Sequence, residues 1–163
     1  MLIGDKNKVG FEVGKKLHNS VNLVYLDIWV CGKHINAHDN VAHLPTLAAA
    51  CEDDADFLFD LERFQTYFKG LTVEGIHQFI LSTRDENSEN YDLEDDDIFP
   101  NHRILDWGPN TDTVFCFIVK VGGQLYLTMC FDREENKVFS CPLTKNYFTE
   151  TLKALFCELR KKI

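Results

Sequence analysis

Two eight-residue apolar runs flank Gly122-Gly123 in VFCFIVKVGGQLYLTMCF, residues 114–131, and together they leave little choice but an antiparallel hairpin. A two-residue Gly-Gly loop sets Val121 opposite Gln124, so Cys116 faces Met129 and Phe115 faces Cys130. Alternation then puts Val114, Cys116, Ile118, Leu125, Leu127, Met129 and Phe131 on one face, which reads as core. The other face, Phe115, Phe117, Val119, Tyr126 and Thr128, is too apolar for open water and predicts a covering helix or a partner.

Around this hairpin the pattern predicts further strands first and helices later. Residues 8–14 and 21–31 read as strands; the second is apolar on both faces (Val24, Leu26, Ile28 and Val30 against Leu23, Tyr25 and Trp29), which predicts a central strand covered on both sides. Gly32-Lys33 offers a tight turn into a short return strand at 34–36. From Leu44 the period lengthens. An Ala-rich start followed by Leu58, Leu61, Phe64 and Phe68 predicts an amphipathic helix, broken once near 56–60 and stopped at Gly70. Residues 72–82 are open between helix and strand, because Gly75 weakens either. Short strands are predicted at 102–108 and 136–143. A last helix at 145–161 carries Phe148, Leu152, Leu155, Phe156 and Leu159 on one side, with Thr144 as its N-cap and a basic end. The expected fold is α+β: a mainly antiparallel sheet, built from the hairpin at 113–131 and the N-terminal strands, packed with helices that include the C-terminal one. One domain over 1–163 is expected, with an acidic loop around 84–100.

Six cysteines (31, 51, 116, 130, 141 and 157) form no C-x-x-C pair. The hairpin register places Cys116 and Cys130 on opposite faces, so these two should not bond, and reduced thiols are expected throughout. No run approaches the length of a membrane span, and the start lacks the apolar h-region of a secretion signal, which makes the cytoplasm the expected location.

Two metal patterns fail on inspection. An EF-hand register begun at Asp85 puts Asn90 where the loop needs Gly, and Asp96 where it needs a bidentate Glu. His34, His38 and His43 lie in a turn-rich connection that rarely converges four zinc ligands. No nucleophile elbow, zincin motif, P-loop or dinucleotide fingerprint is present, so neither an enzyme nor a cofactor is expected.

Charge is the one strong functional signal. The chain carries −9, and −7 of this falls between Arg84 and Asp97, where eight carboxylates stand against one arginine. Direct nucleic-acid binding is disfavoured, since it needs clustered Lys and Arg. A solvated loop that aids solubility is one reading. The other is docking to a basic partner, with Asp85, Glu86, Glu89, Asp92, Glu94, Asp95, Asp96 and Asp97 supplying charge and Tyr91 and Phe99 as aromatic anchors. Glu52, Asp53, Asp54 and Asp56 form a second, reserve acidic group.

The opening of the chain narrows these readings. Ile3-Gly4-Asp5, Phe11-Glu12-Val13 and the strand Ile28 to Gly32 resemble the start of a family of bacterial immunity proteins, which guard cells against polymorphic toxins such as those of contact-dependent growth inhibition. The resemblance covers about the first 36 residues; the acidic segment does not align. It implies a non-catalytic inhibitor that binds the toxic domain of a cognate effector. Many such toxins are nucleases with basic, phosphate-holding sites, so a basic nuclease domain is the implied partner of the acidic loop. A small adaptor for a basic partner, or a metal-dependent enzyme, are the rival readings.

Overall fold

A computed structural model describes residues 1–57, 59–91 and 93–163. Its first unit is a sheet in the order β1 (Leu2–Gly4), β2 (Val9–Lys16), β3 (Leu23–Val30), with β4 (Lys33–His34) and β5 (Val41–His43) sharing the far edge of β3. All pairings are antiparallel. The Ile3-Gly4-Asp5 stretch has a physical explanation here. Ile3 is buried, Gly4 takes φ +80°, and a Cβ on Gly4 would stand 2.4 Å from the Val9 carbonyl oxygen. Asp5 then closes the turn into β2, its Oδ1 accepting from the Asn7 amide at 2.8 Å. Only glycine fits the middle position.

Between β4 and β5, β3 has no strand beside it, and Asn36 takes that place. Its Oδ1 accepts from the Ile28 amide at 2.8 Å and its Nδ2 donates to the Leu26 carbonyl at 2.6 Å. A buried side-chain amide thus completes the ladder. The return strand predicted at 34–36 is accordingly shorter, and the turn before it is Cys31-Gly32 rather than Gly32-Lys33, since Val30 pairs with Lys33.

The second sheet runs β6 (Arg103–Ile104), β7 (Val114–Val121), β8 (Gln124–Phe131), β9 (Phe139–Leu143), again antiparallel. Its hairpin has the register predicted from sequence, Val121 on Gln124 through Val114 on Phe131, with Gly122 and Gly123 at φ +57° and +80°. The strand expected at 102–108 shrinks to two residues because Leu105 turns into the left-handed region, φ +56°.

The helices are α1 (Leu44–Ala55), α2 (Val73–Ser82), α3 (Ile98–His102) and α4 (Lys145–Arg160). Thr72 and Thr144 cap α2 and α4, accepting from the amides of Gly75 and Tyr147. The open question at 72–82 resolves as helix. The predicted continuation beyond 56 does not form a helix: among the described residues after Ala55 the chain makes only a 3-10 turn at Glu62–Phe64 and further turns to Gly70. The reason is a change of core. Leu61 packs into the first core and Phe64 and Phe68 into the second, which no single helix face could do; Leu58 lies outside the described residues.

The first core lies between the inner faces of both sheets, with α1 and α4; Phe11 stacks on Trp107 at 5.5 Å, and Leu26, Ile28, Cys116, Leu127, Phe148 and Leu152 are fully buried. The second core covers the opposite face of the hairpin, where Phe117 and Val119 meet Phe64, Phe68, Ile76, Ile80 and Ile98. The apolar second face of the hairpin is thus closed by α2 and α3. The outer face of β3 is not covered as predicted. Tyr25 is 44% exposed, and Trp29 is half-buried beneath the ammonium of Lys6 and against the ring of His34. These aromatics are amphipathic, so cation–π and polar contacts replace a second layer.

Candidate partner interface

Residues 83–97 connect α2 to α3 and hold the whole acidic segment. Its two ends are fixed by different means. At the α2 end, Asp85 accepts from the Asn87 amide at 2.9 Å, and Asn90 Nδ2 donates to Ser82 Oγ at 2.9 Å, folding the strand of acids back on the helix. At the α3 end, Ile98 is fully buried in the second core, and Phe99 packs on Phe117 with ring centroids 5.3 Å apart. Arg84 lies over Phe99 at 5.0 Å and reaches the Asp96 carbonyl at 3.5 Å, which ties the two ends together.

The side chains divide accordingly. Asp85, Glu86, Glu89, Glu94, Asp96 and Asp97 are exposed, and Asp95 is half-buried with its carboxylate accepting from the Asp97 amide at 3.3 Å. Asp97 pairs with Arg63 at 3.0 Å; among the described residues no other carboxylate of this loop has an ion pair. Tyr91 is 45% exposed. It borders a cleft of about 230 Å³ with Arg84, Asn90, Leu93, Asp95 and Asp96. Phe99, the other expected anchor, is half-buried between Arg84 and the second core, so it supports the loop from beneath. Asp92 lies outside the described residues. Arg63 was missed from sequence, because its partner is 34 residues away and nothing local marks the pair.

The reserve acids at 52–56 prove heterogeneous. Glu52, Asp53 and Asp56 are exposed, whereas Asp54 Oδ2 accepts from the Leu105 amide and the Trp107 indole, both at 2.8 Å. Burial pushes the Asp54 carboxyl up to about 6 against the pull of those two donors. It is a structural group that fixes the left-handed Leu105 and the core indole.

Two histidines, His77 and His102, are buried against the second core. His77 lies between Thr128 Oγ1 at 2.8 Å and Cys130 Sγ at 3.2 Å. The Thr128 hydroxyl donates to the Phe117 carbonyl at 3.3 Å, so His77 donates through Nδ1 and Nε2 accepts from the Cys130 thiol. Burial holds His77 down to about 3 and lifts Cys130 up to about 11. A neutral imidazole beside an intact thiol, both closed off from solvent, is a core contact and not an activated nucleophile. His34 is engaged by Asp27 at 3.1 Å and His43 by Thr46 at 2.9 Å, and among the described residues no three His, Cys, Asp or Glu side chains converge on a point. Among those residues, no helix is long and apolar enough to cross a membrane.

Two antiparallel sheets, with one pair of helices in the core between them and another pair over the outer hairpin face, define an α+β fold that has a counterpart among solved structures. It matches the crystal structure of CdiI from Burkholderia dolosa AUO158 with a TM-score of 0.64, covering 97% of this chain and 99% of that one at 12% identity. The two chains share a fold at that identity, and the likeness extends far beyond the 36 residues that carry the sequence resemblance. No protein-family model matches the chain, and no curated protein sequence matches it.

Proposed function

We propose that this protein is an immunity protein of the contact-dependent growth inhibition kind, which binds a cognate toxin domain stoichiometrically and neutralises it without catalysis. The observation that carries this reading is the fold shared with CdiI over almost the full length of both chains. The acidic loop is the contact surface in this reading. Its exposed, unpaired carboxylates supply acceptors for Lys and Arg and speed encounter with a basic surface. A nuclease domain, whose site must hold phosphates, is the toxin class that such a loop suits. Tyr91 stands as the exposed aromatic among the charges, in the arrangement of an anchor inside a polar rim. The protein acts in the cytoplasm as one domain, and needs no cofactor.

Co-purification at low salt from the native source, with the tagged chain as bait, tests the proposal. A stoichiometric basic partner that is toxic when expressed alone, and harmless when co-expressed with this protein, is the expected result. A non-toxic basic partner favours the adaptor reading instead, and recovery of no partner overturns both.

A further inference from the structure

Cys31 and Cys141 come from different sheets, 110 positions apart, and their sulfurs stand 3.0 Å from each other. That is only about 1 Å more than a disulfide bond length. Two features of the fold bring them together. Cys31 is the first residue of the two-residue turn between β3 and β4, held at φ +48°, a conformation that residues other than glycine rarely adopt. Cys141 sits in β9 opposite Leu127, and the Cys31 thiol also lies 3.4 Å from the Leu127 carbonyl oxygen. The turn of the first sheet therefore rests directly on the edge of the second. We propose that Cys31 and Cys141 are an oxidisable pair that forms an intramolecular disulfide in the presence of a small peroxide, stapling the two sheets together. The inference is independent of the toxin-binding reading.

The chemistry is served by the surroundings. The Cys31 thiol, as a hydrogen-bond donor, and the nearby Lys8 ammonium both favour the anion at Cys141, whose pKa is lowered in consequence. The Cys141 thiolate attacks one peroxide oxygen, the O–O bond breaks, and the departing hydroxide takes up a proton as water. The resulting sulfenic acid is attacked by the Cys31 sulfur, which loses its proton as the S–S bond forms and a second water leaves. Two thiols are oxidised by two electrons, and one peroxide is reduced to two waters. Cys31 is half-buried and Cys141 is buried at 8% exposure, so a small oxidant reaches the pair more readily than a bulky one. The other thiols lack this arrangement: Cys116 and Cys130 lie on opposite faces of the hairpin, Cys51 donates to the Leu152 carbonyl, and Cys157 is exposed at the end of α4.

The test uses the full chain carrying C157S, which removes the exposed thiol. It is treated with a small excess of hydrogen peroxide, alkylated under denaturing conditions and digested with trypsin without reduction. The expected product joins peptide 17–33 to peptide 138–145, with an upward Tm shift of about 5 °C or more, both reversed by dithiothreitol. Adding C31S or C141S should abolish the shift. Full alkylation of both thiols, their recovery as unlinked sulfinic acids, or linkage to other cysteines overturns the proposal. A linked product with no change in Tm overturns the stapling.

Discussion

The carboxamide of Asn36 sits against Ile28 as a neighbouring strand would, accepting from its amide at 2.8 Å and donating to the Leu26 carbonyl two residues back. Replacing it by Ala leaves an N–H and a C=O orphaned at the centre of β3. We expect Asn36→Ala to lower stability by about 2–4 kcal/mol. Asn36→Asp should do no better, because a carboxylate cannot donate to Leu26. Urea unfolding of the purified variants checks both.

The buried histidines set the acid limit of the fold. His77 and His102 are depressed by burial to about 3 and about 4, so the folded chain resists protons that the unfolded chain accepts below about 6.5. Their stabilisation is fully present above pH 6.5 and is lost as pH falls toward 4. Asp54 runs the other way: with its folded value raised to about 6, its contribution becomes more favourable as pH falls from 6 toward 4. Between pH 7.5 and pH 5 each histidine costs about 2 kcal/mol and Asp54 returns about 1, a net loss of about 3 kcal/mol. His102→Asn can still donate to the Ile98 carbonyl, as the ring does at 2.6 Å, and cannot titrate. Its denaturation midpoint should fall less steeply over that range.

How much of this was legible in the sequence varies with the range of the interaction. The hairpin register and its two faces follow from Gly122-Gly123 and strict alternation, and the cap and apolar stripe of α4 are equally local. Other features depended on partners far along the chain. Beyond the break expected at 56–60 the chain reads as helix because Leu61, Phe64 and Phe68 recur at helical spacing, yet those side chains serve two different cores. Trp29 and Tyr25 read as covered because residues 21–31 are apolar on both faces, and the pattern does not announce Lys6 and His34 as the companions of Trp29. The acidic segment was evident from composition, but the separation of Phe99 from Tyr91 was not, since it turns on Phe117 and Arg84.

Reversing the charge of Glu86, Glu89, Glu94 and Asp96 to Lys removes no intramolecular ion pair. Stability should change by no more than about 0.5 kcal/mol per site. In the proposed toxin complex, affinity should drop by about 10- to 100-fold, and its dependence on salt should flatten. Titration calorimetry at two ionic strengths measures both; unchanged affinity and protection would remove the loop from the interface.

In the proposed interface Tyr91 serves binding, whereas Phe99 serves folding. Tyr91→Ala is expected to leave the unfolding midpoint in place and weaken the complex by about tenfold or more. Phe99→Ala opens a space above Phe115 and Phe117 and should cost about 2–3 kcal/mol of stability instead. Thermal melts alongside binding isotherms distinguish the two.

Among the described residues the acids are held by Ile98 below, Asn90 on Ser82, Arg63 on Asp97, and Arg84 between Phe99 and the Asp96 carbonyl. None of these reaches the core between the sheets, from which the hairpin separates them. Side chains within 86–91 and 93–96 can therefore drift or change sign while the core between the sheets keeps its composition. In the proposed function, such a chain rewrites whom it recognises without relearning how to fold.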